Sequence, residues 1–153
     1  MLNLVLVYLV LFSALRDSDS SACKVAGEHE HTAWDHALIQ AVYPKKLATV
    51  HGVVVVRAAP GQESAPMEGA LVELYDHLEV ALSAKTDSDR EHQKRLAACV
   101  TSKDGRFSFD PKPGKYELRC SNHNDWRCIS LIVEVTKTAD KKARLTLEIQ
   151  PAD

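Results

Sequence analysis

The stretch TSKDGRFSFDPKPGKYEL, residues 101–118, decides the fold, because it sets two strand-like runs, a turn and a proline loop in one short span. Asp104-Gly105 separates the β-rich runs 96–102 and 106–110. Asp-Gly favours a type I′ turn, whose two central residues need positive φ, so the sequence predicts a hairpin joining those runs. Pro111-Lys112-Pro113-Gly114 follows. Two of its residues lack a backbone donor, which excludes central strand and makes it a loop. That loop feeds a run in which Tyr116, Leu118 and Cys120 alternate with Glu117, Arg119 and Ser121.

Working outward, the period of two recurs from Thr49 to Gln150, broken by turn signals every ten residues or so, the pattern of a sandwich or barrel. Seven strands are expected, over 49–57, 69–76, 96–102, 106–110, 115–121, 128–135 and 143–150. In the second of them Ala70, Val72 and Leu74 alternate with Leu71, Glu73 and Tyr75, so one face is expected in the core and the other in water. The polar segment between Asp76 and Leu96 reads as an extended hairpin end or a long loop. The fold class that follows is all-β, a two-layer sandwich occupying 49–150.

The N-terminal part reads differently. Residues 2–15 form an apolar run shorter than the roughly 20 residues of a membrane-spanning helix. Ser20-Ser21-Ala22 then places small residues where a signal peptidase cuts, so 1–22 is expected to be a signal peptide. Cleavage after Ala22 exposes Cys23, and Ser20-Ser21-Ala22-Cys23 is partly like a bacterial lipobox, which makes Cys23 the candidate for lipidation. Export of either kind places the chain outside the cytoplasm, secreted or in the cell envelope. In the linker 23–48, Thr32-Ala33-Trp34-Asp35 has the form of a capping box, and Trp34, Ala37, Leu38, Ala41 and Val42 make one apolar stripe before Pro44. A short helix over 33–43 is expected, docked on the sandwich.

The 153 residues suit one domain with an appendage. Lys and Arg number 19 against 21 Asp and Glu, scattered along the sequence with no basic run, which gives no nucleic-acid footprint. The four cysteines form no Cys-x-x-Cys pair, so neither a zinc ribbon nor a thioredoxin-like motif is supported.

Several motifs in order carry a family resemblance. They are Gly52-Val53-Val54, then Pro66-Met67-Glu68-Gly69-Ala70-Leu71-Val72-Glu73-Leu74, then Asp104-Gly105-Arg106-Phe107-Ser108-Phe109, then Pro113-Gly114-Lys115-Tyr116-Glu117-Leu118, and the aromatic Trp126. Across about two thirds of the chain this set resembles a carboxypeptidase regulatory-like domain of the transthyretin-like superfamily. The resemblance implies a seven-stranded, Greek-key, prealbumin-like sandwich and a binding, adhesion or accessory role without catalysis. The chain departs from the family in having Thr101-Ser102 before the Gly-x-Phe-x-Phe segment and Asp125 before Trp126, so ligand preference in that loop does not carry over.

Candidate sites are few. Phe107, Phe109, Tyr116, Leu118 and Trp126 are expected between the sheets. The loop Asn122, His123, Asn124, Asp125 and Trp126 is the candidate ligand contact, through protein docking or through sugar stacking on the tryptophan. Cys120 and Cys128 flank it and are the candidate disulfide, although strand phase sets them on different faces unless a bulge intervenes. His29, His31 and His36, near Glu28, Glu30 and Asp35, are weak metal candidates, more simply read as a solvated lead-in. Asp87, Asp89, Glu91 and His92 lack the glycine and terminal glutamate of a calcium loop. No Gly-x-Ser-x-Gly, phosphate-cradling glycine loop or His-Glu-x-x-His occurs, so no catalytic residue and no cofactor is expected. A hydroxyisourate hydrolase shares the transthyretin fold and an Asp-Gly-Arg segment, but the chain ends Ile149-Gln150-Pro151-Ala152-Asp153, without that family's Tyr-Arg-Gly-Ser tail. The expected function is therefore an extracytoplasmic module that binds a protein, or alternatively a glycan, and meets membrane only through its leader or a lipid on Cys23.

Overall fold

A computed structural model describes residues 23–25, 37–39, 45–57, 59–79, 89, 92–122 and 125–149, with the backbone alone for 23–25, 37–39 and 125–127. Among them lie strands β1 (Cys23–Val25), β2 (Ala37–Ile39), β3 (Lys45–Leu47), β4 (Val50–Val56), β5 (Ala65–Pro66), β6 (Ala70–Asp76), β7 (Arg95–Thr101), β8 (Arg106–Phe109), β9 (Gly114–Asn122), β10 (Asp125–Val135) and β11 (Leu145–Ile149). Most of the described residues lie in strands, and all seven expected runs contain one.

The strands form two sheets. The larger runs β1-β7-β6-β9-β10-β2, with β3 also along β10. The length of β10 explains the double edge. Its Cys128–Ser130 part pairs with β2 and its Val133–Val135 part with β3, both parallel. The smaller sheet sets β4 between parallel β11 on one side and antiparallel β8 and β5 on the other.

One core lies between the sheets. The larger contributes Ala70, Val72, Leu74, Cys99, Leu118, Cys120, Ile129, Leu131, Val133 and Val135, at every second position as the pleat requires. The smaller contributes Val50, Val54, Phe107, Phe109, Leu145, Leu147 and Ile149. Tyr116 is half-buried at the core's margin and donates its hydroxyl to the Lys112 carbonyl at 2.6 Å, closing the proline loop against the sheet.

Three expectations are corrected. The outer face of β6 does not meet water, for Leu71, Glu73 and Tyr75 are as buried as the core residues between them. The expected hairpin at Asp104-Gly105 is a crossover between sheets, since β7 pairs with β6 and β8 with β4. The Gly105 amide still closes a turn onto the Ser102 carbonyl at 2.8 Å, but the Gly105 carbonyl then takes the Val54 amide of the other sheet. The expected helix over 33–43 is interrupted, because Ala37–Ile39 is strand β2 on the edge of β10. Hydrogen bonds to that edge outweigh the apolar period of 3.6, as tertiary context overrides weak propensity. The rest of 33–43 lies outside the described residues.

Gly105 has φ of 67°, and a Cβ there would lie 2.3 Å from the Val54 carbonyl oxygen. Gly61 has φ of 84° and open space around it. Gly61→Ala therefore carries only the cost of the left-handed backbone, about 1–2 kcal/mol. Gly105→Ala adds displacement of a carbonyl that also accepts the Met67 amide. In urea titrations Gly105→Ala should lose about 2 kcal/mol more than Gly61→Ala.

Candidate functional site

The densest gathering of polar chemistry among the described residues lies on the outer face of the larger sheet, across β6, β9 and β10. Register puts it there. Glu73 of β6 lies opposite Arg119 of β9, Tyr75 lies opposite Glu117, and Arg119 lies opposite Ser130 of β10. Residues two apart on a strand share a face, so one acid, one phenol and one acid–base pair converge.

Glu117 sits at the centre. Its Oε1 accepts from Arg119 Nε at 2.8 Å and from Ser130 Oγ at 2.6 Å, and its Oε2 accepts from Gln93 Nε2 at 2.8 Å. Gln93 ties the cluster to the chain just before β7, donating also to the Asp76 carbonyl at 2.6 Å and accepting from Arg119 Nη2. Beside it, Glu73 Oε1 accepts from the Tyr75 hydroxyl at 3.0 Å and from Arg95 Nη1 at 3.2 Å. The Arg119 guanidinium stands 3.8 Å over the Tyr75 ring, a cation–π contact in a desolvated place. Arg119 is 1 % exposed, Glu117 2 % and Glu73 0 %. Two carboxylates thus face two guanidinium groups, and charge is balanced within the cluster.

The reactive groups nearby are quiet. Burial first, then the Glu73 carboxylate, pushes the Tyr75 phenol up to about 12, with Arg119 pulling the other way. Burial likewise pushes the Cys128 thiol up to about 12, against the pull of Arg119, and the Cys120 thiol well above its ordinary value. Neither cysteine offers a thiolate near neutral pH, and the thiolate is the nucleophilic form. The arrangement can lock three strands in register. It holds its acids and bases on one another.

Cys120 and Cys128 are both free, so the candidate bridge between them is absent. Cys120 lies opposite Ile129, and Cys128 lies opposite Ser121. They are therefore one pleat out of step. Cys120 faces the core, and Cys128 faces the Glu117 cluster. Cys99, by contrast, is disulfide-bonded. Cys23 lies in β1, antiparallel to β7 and opposite Thr101.

The candidate loop is shorter than expected. Asn122 ends β9 opposite Ala70, and Asp125 and Trp126 already belong to β10, whose register slips between Asp125 and Cys128. Pairing with β6 carries the ladder to Asn122 and leaves only His123 and Asn124 between the strands, outside the described residues. The side chain of Trp126 and the metal candidates His29, His31 and His36 also lie outside them. No group of three His, Cys, Asp or Glu side chains gathers as metal ligands among the described residues. Gly52 admits the Leu145 backbone so closely that a Cβ would lie 2.2 Å from its carbonyl oxygen, Gly69 has positive φ before β6, and Gly114 opens β9 against the Tyr116 ring.

Sequence reading missed the cluster because Glu117 and Arg119 look like the water-facing half of an alternating strand. The one visible sign was Leu71 and Tyr75 on the supposed wet face, two large side chains flanking Glu73.

No family model matches the chain, and neither the curated proteins nor the solved structures contain a match to it.

Proposed function

We propose that this chain is an exported, non-enzymatic interaction module. Its sandwich is of the Greek-key, prealbumin-like type seen in carboxypeptidase regulatory-like domains, to which its ordered motifs bear resemblance. The observation that carries the non-catalytic reading is the occupation of the Glu117 carboxylate, which accepts from Arg119, Gln93 and Ser130 together. A catalytic acid or base needs an atom within reach of substrate and a pKa near the working pH. Here the best-placed groups are spent on one another, and the neighbouring phenol and thiols stay protonated. The fold type draws support from the division of the seven principal strands, four as β7-β6-β9-β10 and three as β11, β4 and β8.

The disulfide at Cys99 supports export, because such bonds persist in oxidising compartments. Cys120 and Cys128 keep free thiols beside it.

Intact mass of the protein exported by its native host tests this. The expected mass begins at Cys23. Alkylation under denaturing conditions should add two groups before reduction and four after it. A full-length mass from Met1 with four alkylated thiols before reduction would overturn export, and acyl mass on Cys23 would make the chain a lipoprotein. The interaction role is read separately by crosslinking on the exported protein, which should recover one defined protein partner. Saturable quenching of tryptophan fluorescence by a glycan would replace that role with carbohydrate binding.

A further inference from the structure

Cations that look scattered along the sequence are gathered by the fold at one end of the sandwich. Val135, the last residue of β10, lies opposite Gly114, the first of β9, and opposite Leu47, the last of β3. The Thr136 amide donates to the Leu47 carbonyl at 2.8 Å, and Val50, which opens β4, lies opposite Phe109, which closes β8. The end of β3, the start of β9, the β8–β9 connection and the β10–β11 connection therefore meet.

Each of them brings exposed positive charge. Lys45 and Lys46 lie on β3, Lys112 lies in the β8–β9 connection, and Lys115 lies on β9. The β10–β11 connection adds Lys137, Lys141, Lys142 and Arg144, all exposed. The carboxylates among them are Asp110, Glu134 and Asp140. Glu134 stands directly between two of the lysines, opposite Lys115 on one side and Lys46 on the other. Asp140 Oδ1 accepts the Lys142 amide at 2.8 Å. Eight cations against three acids make this end strongly positive in a chain whose formal charge is −2.

We propose that this basic end docks on an anionic phospholipid surface. Seven of the eight cations are lysines, compact and strongly hydrated charges suited to a diffuse field rather than to bidentate recognition. Lysine is depleted in the cores of protein–protein interfaces, which argues against a tight protein partner here. Single-stranded nucleic acid would need stacking platforms, and Tyr116, beside Lys115 on β9, is turned onto its own loop by its bond to the Lys112 carbonyl. A bilayer bearing anionic headgroups asks only for clustered positive charge on an accessible end, with attraction that salt screens. This surface goes beyond the interaction reading and does not depend on it, and it is tested on purified chain from Cys23 onward, apart from the export question.

The experiment is co-sedimentation with vesicles of phosphatidylcholine, with or without phosphatidylglycerol. Binding is expected to the phosphatidylglycerol vesicles alone and should disappear at high salt. The triple variant Lys137→Glu, Lys141→Glu, Lys142→Glu should bind at least about a hundredfold more weakly. The matched variant Lys94→Glu, Lys103→Glu, Arg106→Glu changes net charge equally elsewhere and should retain most binding. Thermal melts of both variants confirm that each is folded. Equal binding to neutral vesicles, equal loss in both variants, or a preference for duplex DNA over the vesicles would overturn the proposal.

Discussion

Arg119→Leu should destabilise the protein by about 3–5 kcal/mol, the range for breaking a buried ion pair by removing one partner. That is a large share of the 5–15 kcal/mol that holds a typical domain together. The side chain is 1 % exposed, so no water takes over its bonds to Glu117 and Gln93, and Glu117 is left as buried negative charge with one donor fewer. The Tyr75 ring also loses the cation above it. Urea unfolding followed by circular dichroism gives the number. A companion variant separates the charge from the packing. Removing both charges in Glu117→Gln with Arg119→Leu should cost less than Arg119→Leu alone, because the uncompensated carboxylate is gone. If the double variant were the weaker by the sum of its parts, or if Arg119→Leu cost under about 1 kcal/mol, the cluster would not be the coupled unit described above.

Phe107→Ala should cost about 3–5 kcal/mol, by lost burial and by the cavity left behind. Phe107 is 1 % exposed and stands 6.3 Å from the Phe109 ring at 45°, both rings reaching from β8 into the space between the sheets. β8 is a four-residue strand paired only through Val50 to Val53 of β4. A lost ring there loosens the strand as well as the core. Phe107→Leu, which keeps most of the volume, should recover more than half of the loss. A truncation that lowered the urea midpoint no further than a surface substitution would place Phe107 outside the cooperative core.

These two residues differ in how far the sequence reveals them. Phe107 is legible, since Arg106-Phe107-Ser108-Phe109 alternates strictly and both aromatics fall on one face. Arg119 is not, because an Arg between Leu118 and Cys120 has the pattern of an exposed position. Period-two reading assigns a strand two faces but does not say whether a second layer covers the outer one. The turn at Asp104-Gly105 teaches the same lesson. Its residues specify a reversal with positive φ at the glycine, and local chemistry goes no further. Whether the next strand returns beside the last or crosses to the other sheet is decided by which partner buries Phe107 and Phe109. Likewise Ala37–Ile39 carries a helical period, yet the open edge of β10 supplies backbone partners that an isolated helix turn cannot match.

From sequence alone follow the all-β class, the seven principal strands, the inward phase of Phe107, Phe109 and Leu118, and the turn at Asp104-Gly105. These follow from neighbouring residues, through the pleat and the turns that proline and glycine permit. Only the tertiary structure decided what lies across from what. It set Glu73, Glu117 and Arg119 into one buried cluster, held Cys120 and Cys128 a pleat apart, bonded Cys99, and brought lysines from distant segments to one end. The reason is that register and sheet order depend on contacts between residues far apart in the chain, which no local pattern encodes.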